Sequence, residues 1–106
     1  MSKQLNEELL DSILKDIKQE FDEVDRDSHN VVFSLLKERD EVKEFKEFCI
    51  SNKWNVDVPK HIQEREQTLW IDYQKADAVK DSKTKEYVLS RLSGLQRLKE
   101  AFDIDY

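Results

Sequence analysis

Glycine occurs once in this chain, at position 94, and proline once, at position 59. Tight β-turns use residues of positive φ, which glycine supplies without steric cost. A chain of 106 residues with one glycine is therefore excluded from turn-dense β architectures. It also has no glycine-rich loop to cradle a phosphate, and no collagen-like repeat. The single cysteine, Cys49, excludes an intramolecular disulfide framework and a cysteine zinc cluster. Helix is the element left, and the apolar spacing supports it throughout.

The spacing predicts an all-α single domain of about four helices, over roughly 6–24, 31–50, 58–79 and 83–102. In the first, Leu5, Leu9, Leu10, Ile13, Leu14, Ile17, Phe21 and Val24 recur at three- and four-residue steps, the period of one helix face. Ser2 or Asn6 is the candidate cap, with Glu7, Glu8 and Asp11 at the positive end of the dipole. The polar run Asp25 to Asn30 ends it. In the second, Val31, Leu35, Val42, Phe45 and Cys49 keep a stripe that Glu38 interrupts. A strand through Val31–Leu35 competes there, because β-branched and aromatic residues cluster.

Ser51 to Pro59 reads as an extended connector, and Asp57-Val58-Pro59 as a helix start. The third helix places Ile62, Leu69, Tyr73 and Ala76 inward, with Trp70 and Ile71 widening that face. Asp81 to Thr84 breaks the pattern and caps a fourth helix carrying Tyr87, Val88, Leu92, Leu95, Leu98 and Phe102. So short a break makes helices three and four an antiparallel hairpin. The tail Phe102-Asp103-Ile104-Asp105-Tyr106 either frays, lies along the core, or extends onto a partner.

Charge is divided unevenly along the chain. Of 18 Lys and Arg against 24 Asp and Glu, residues 1–58 hold 9 and 15, while residues 59–106 hold 9 and 9. An acidic half is thus joined to a neutral hairpin. Leu, Ile, Val and Phe make 30 of the 106 residues, enough for a thin core. The longest aliphatic or aromatic run, Val31-Val32-Phe33, cannot span a membrane, and the acids at Glu7, Glu8 and Asp11 leave no signal-peptide core. The expected location is cytoplasmic.

Candidate chemistry is sparse. Asp57, His61 and Glu64 share a helix face at i, i+4 and i+7, but no second cluster accompanies them, so a solvated helix start is the preferred reading. Cys49 lies on the apolar stripe and reads as core. Lys83, Lys85, Arg91, Arg97 and Lys99 give the last helix a basic flank, interleaved with Glu86 and Glu100. Direct nucleic-acid binding is therefore not expected. No catalytic residue, metal or cofactor is assigned.

Interaction surfaces are better supported. Ser90, Gly94 and Ala101 fall near one face of the last helix. Either helix three approaches closely there or another chain docks. Val32, Phe33, Leu36 and Trp54 are apolar residues in excess of one stripe, and serve either the core or an interface.

Arg91-Leu92-Ser93-Gly94-Leu95-Gln96-Arg97-Leu98, after a long charged helix with Trp70, resembles the C-terminal half of small helical proteins of tailed bacteriophages. Those show a long charged helix, a short break, and a helix with a small residue before a Leu-x-x-Leu close. The resemblance covers about 59–104. No catalytic residue carries over and residues 1–58 have no counterpart. It implies a small phage-encoded protein that acts by binding, in the virion or on a host factor in the cytoplasm.

The expectation is a non-enzymatic protein–protein interaction module, an oligomer in which the apolar excess is buried against a second subunit. Its surface would be the acidic first helix with Val32, Phe33 and Leu36. The alternative is an acidic inhibitor that mimics DNA on a host or defence enzyme. That reading requires Glu7, Glu8, Asp11, Asp16, Glu20, Asp22 and Glu23 to project together.

Overall fold

A computed structural model describes residues 5–104. It contains four helices, α1 (Glu7–Glu23), α2 (His29–Ser51), α3 (Val58–Ala78) and α4 (Ser82–Ala101), and among the described residues no strand. Val31–Leu35 is helical, within α2.

Side chains start three of the helices. The Leu9 amide donates to Asn6 Oδ1 at 2.8 Å. Lys60 N donates to Asp57 Oδ1 at 3.3 Å, with Pro59 in the first turn of α3. The carboxylate of Asp81 accepts from both Thr84 N and Thr84 Oγ1. Each cap satisfies an amide that the helix leaves unpaired. Ser2, the other candidate cap, and Asp105 and Tyr106 of the tail lie outside the described residues. Within the tail, Phe102 is buried and Ile104 packs against the core.

Three helix ends reverse through a non-glycine residue in the left-handed region. After α2, α3 and α4 these are Lys53 and Trp54, then Lys80, then Asp103, with φ of 53°, 63°, 55° and 55°. The following or same amide closes a hydrogen bond from Trp54 N to Cys49 O, Asp81 N to Ala76 O, and Ile104 N to Lys99 O. This is the Schellman closure, which usually employs glycine. Here the chain's one glycine is elsewhere.

Helix α4 is the centre of the packing. It packs against α1, α2 and α3, and α1 also lies along α2, whereas α3 packs its backbone only on α4. Lys85–Asp77 near the turn and Lys99–Glu66 further along show that α3 and α4 run antiparallel. The core joins Leu10, Ile13 and Ile17 to Leu35, Val42, Phe45 and Cys49, then Ile62 and Leu69, then Val88, Leu95, Leu98 and Phe102.

Four residues expected inward are exposed: Val31, Trp70, Ile71 and Tyr87. Val31 sits in the first turn of α2. Trp70 and Ile71 lie outside the stripe of Ile62, Leu69 and Ala76 that faces inward, and stay exposed.

Gly94 sits where α4 meets α2. A Cβ built there would lie 2.8 Å from Glu38 O and 2.8 Å from Glu41 Cβ. The close approach is therefore to α2, not to α3. Ala101 borders Leu9 and Ile13 of α1, and buried Ser90 donates its hydroxyl to Glu86 O of its own helix.

Gly94→Ala should lower stability by about 1–2 kcal/mol, because the overpacking cost exceeds alanine's advantage in a helix. Urea unfolding would show this as a lower midpoint at unchanged slope. Lys80→Gly should instead raise stability by up to ~1 kcal/mol by relieving the left-handed residue, whereas Lys15→Gly, in an exposed helix interior, should lower it by a similar amount.

Candidate functional site

Two glutamates one turn apart on α2, Glu38 and Glu41, are buried. Each is met by an arginine of α4, and these arginines stand one turn either side of Gly94. Arg91 Nε donates to Glu41 Oε1 at 2.6 Å, and its guanidinium also pairs with Glu44. Arg65 of α3 forks onto the same Glu41 carboxylate at 2.9 and 3.2 Å. Arg97 Nε donates to Glu38 Oε1 at 2.7 Å, and its two terminal nitrogens reach Glu20 of α1 at 2.7 and 3.0 Å. Charge-assisted, forked contacts of this kind are the strong hydrogen bonds of a protein interior.

Four of the five residues of the basic flank of the last helix are thereby committed. Arg91, Arg97, Lys99 and Lys85 each hold a carboxylate of another element. Glu66 Oε1 is buried with no hydrogen bond, and the ammonium of Lys99 offsets its charge from 3.4 Å.

The groups with chemical potential are similarly occupied. Cys49 is fully buried, and burial pushes its thiol up to about 11, so it stays protonated at neutral pH. His61 lies stacked on Phe48 at 4.3 Å and beside Phe45 at 5.4 Å. Burial lowers its pKa, against the smaller upward pull of Glu41 and Glu64. Asp57 caps α3, and no group of three His, Cys, Asp or Glu side chains able to hold a metal occurs among the described residues.

The seven acids of α1 divide around the helix. At 100° per residue, Glu7, Asp11 and Asp22 lie on the flank toward α2, and Asp16, Glu20 and Glu23 on the opposite flank, with Glu8 facing away from the core. Lys46 of α2 holds Asp11 at 2.6 Å and Glu7 at 3.4 Å, which raises the lysine's pKa. Arg97 holds Glu20 below the usual carboxylate range. Asp22 pairs with Lys18 at 2.8 Å, and Glu23 accepts from Gln19.

The apolar set also separates. Val32 and Leu36 share a face of α2 with Arg39 and Lys43. Phe33 is on another side, where Lys37 lies 5.4 Å from its ring and 5.5 Å from that of Tyr87. Trp54 packs against the core in the α2–α3 connector, roughly 27 Å along α2 from Phe33 at 1.5 Å per residue.

Between α1 and α2 runs a surface groove of about 380 Å³. Leu14, Ile17, Phe21, Leu35 and Leu36 form its apolar floor, and Lys18, Asp22, Arg39 and Lys43 its rim. Of the floor residues, Leu14, Phe21 and Leu36 remain half-buried. Leu36, Asp22 and the apolar stripe of α1 are candidates on sequence grounds, whereas the cations opposite are not. The i, i+4 spacing of Arg39 and Lys43 beside Leu36 was the available signal. Among the described residues no helix is long and apolar enough to cross a membrane.

Comparison with family models, with curated proteins and with solved structures returned no match.

The depressed pKa of His61 belongs to the folded state, so as pH falls the unfolded chain takes up that proton first. Its contribution to stability is complete above about pH 6.5, the ordinary value, and declines below it. His61→Phe preserves the stacking and should flatten the urea-midpoint profile below pH 6.5. A profile unchanged by the substitution would contradict this.

Proposed function

We propose that this chain is a non-enzymatic protein–protein interaction module that binds through the α1–α2 face. The groove between those helices carries the proposal. It leaves Leu14, Phe21 and Leu36 only partly buried, along one groove, whereas the potentially reactive Cys49, His61 and buried glutamates are each enclosed or paired. Contiguous apolar surface rimmed by charge is the usual mark of an interaction site. The resemblance of residues 59–104 to small phage proteins is compatible with such a role, in the particle or on a host factor.

The reading as a DNA mimic draws less support. Four of its seven acids, Glu7, Asp11, Glu20 and Asp22, are paired with cations of this chain, and the set occupies two flanks of α1. A mimic would bind a basic cleft with steep salt dependence.

Light scattering across concentration, with capture from host-cell lysate, should reveal a second copy or a retained protein. Leu36→Asp should abolish that association, while Leu89→Asp, on an exposed position of α4 outside the groove, should leave it intact. A monomer that retains nothing, or equal loss in both variants, would sink the proposal.

A further inference from the structure

The geometry points to an amphipathic helix with acidic residues along its apolar stripe as the occupant of the α1–α2 groove. This inference rests on the proposal that the groove is a binding site, and adds the chemistry of what binds.

The chain has a formal charge of −6, yet three of the four charged residues lining this groove are cations. Asp22, the one acid, already accepts from Lys18. A further cation, Arg26, lies over the ring of Phe21, 4.1 Å from its centroid. With Lys18 and Asp22 paired to each other, the surplus positive charge of the rim is that of Arg39 and Lys43, above a floor of Leu, Ile and Phe.

The cations of α2 are also regularly spaced. Arg39, Lys43 and Lys46 stand at i, i+4 and i+7, a single row along one helix face. At its far end Lys46 is taken by two carboxylates, Glu7 and Asp11, one turn apart on α1. That pairing displays the recognition in miniature, since an acidic amphipathic helix lies along the row and its carboxylates meet the ammonium. The other two cations have no such partner. Arg39 reaches only Asp40, its chain neighbour, at 3.3 Å, and Lys43 is in no ion pair among the described residues.

Arg39 and Lys43 are separated by one turn, about 6 Å along the axis. Two carboxylates one turn apart, beside the apolar stripe of a docking helix, match that spacing, while the Leu or Phe anchors of the stripe itself at i, i+3 and i+7 would cover Leu14, Phe21 and Leu36. A closed cavity would suit an alkyl chain better, because such ligands bury most of their surface. This groove is bordered by the exposed side chains of Lys18, Asp22, Arg39 and Lys43.

The test uses the intact protein and two fluorescently labelled helical peptides of about five turns. Both carry Leu at i, i+3, i+4 and i+7. One has Glu flanking the stripe, the other Lys at the same places. Fluorescence anisotropy at low salt should show the Glu peptide binding about tenfold more tightly, with the advantage shrinking as salt rises. The double variant Arg39→Glu with Lys43→Glu should invert the preference, and Leu36→Asp should remove binding of both peptides. Circular dichroism checks that each variant is folded. The double variant, altered only at exposed positions, keeps the test valid if Leu36→Asp is not.

Equal binding of the two peptides, preference for the Lys peptide, or binding of oleate where neither peptide binds would overturn the inference. If the Glu peptide fails while lysate capture remains sensitive to Leu36→Asp, the binding site stands and only the acidic-helix chemistry falls. Loss of both removes the site as well.

Discussion

Helix α4 can lie against α2 because position 94 has no side chain. The two backbones come so near that a single added carbon would meet Glu38 O and Glu41 Cβ at 2.8 Å. That approach brings the carboxylates of Glu38 and Glu41 within reach of Arg97 and Arg91, one turn either side of the glycine. Burying such charges is costly unless they are paired and hydrogen-bonded. Here they are, and the pairs extend outward: Arg65 ties α3 to Glu41, and Arg97 ties α1 to Glu38 through Glu20. Removing one partner of a buried pair leaves an uncompensated charge at a cost of about 3–5 kcal/mol. The register of all four helices is therefore coupled to one crossing.

The same coupling shapes the surface. Arg91, Arg97, Lys85 and Lys99 are committed to carboxylates of neighbouring elements, so most of the positive charge of α4 is neutralised within the fold. On another side of α2, Arg39 and Lys43 have no carboxylate partner from a distant element and stand beside the groove left where α1 and α2 meet. A protein acidic in its first half thus presents a positive rim in that half. The charge summed along the sequence does not reveal this, because the carboxylates of α1 and α2 point to several different sides.

Much of the fold was legible because local rules decide it. Asn6, Asp57 and Asp81 cap helices through hydrogen bonds three residues away, and such short-range chemistry can be read from adjacent letters. Apolar steps of three and four residues marked the inner faces of α1 and the middle of α2. What misled was width. Trp70, Ile71 and Tyr87 sit next to the true stripe, and whether a flanking residue is buried depends on whether a neighbouring helix reaches its side at that level. Helix α3 has one backbone neighbour. Glu38 read as an interruption for a related reason: its partner, Arg97, is 59 residues away.

The candidate site was legible only in part. Leu36 was singled out as surplus to the α2 stripe, and it does line the groove, but Phe33 faces elsewhere and Trp54 lies near the other end of α2. Three residues close in sequence scatter around a helix at 100° each, so adjacency along the chain is a poor guide to a shared surface.

By itself, then, the sequence determined that the chain is helical, where the helices begin and end, and which cysteine and glycine have no partner of their own kind. It did so through periodicity, caps and the near-absence of glycine, all effects within one or two turns. Only the tertiary structure decided that Gly94 faces α2, that Glu38 and Glu41 are buried ion-pair partners, and that Arg39 and Lys43 border an apolar groove. Those outcomes depend on which helices meet and at what distance, a matter of packing between segments far apart in the chain.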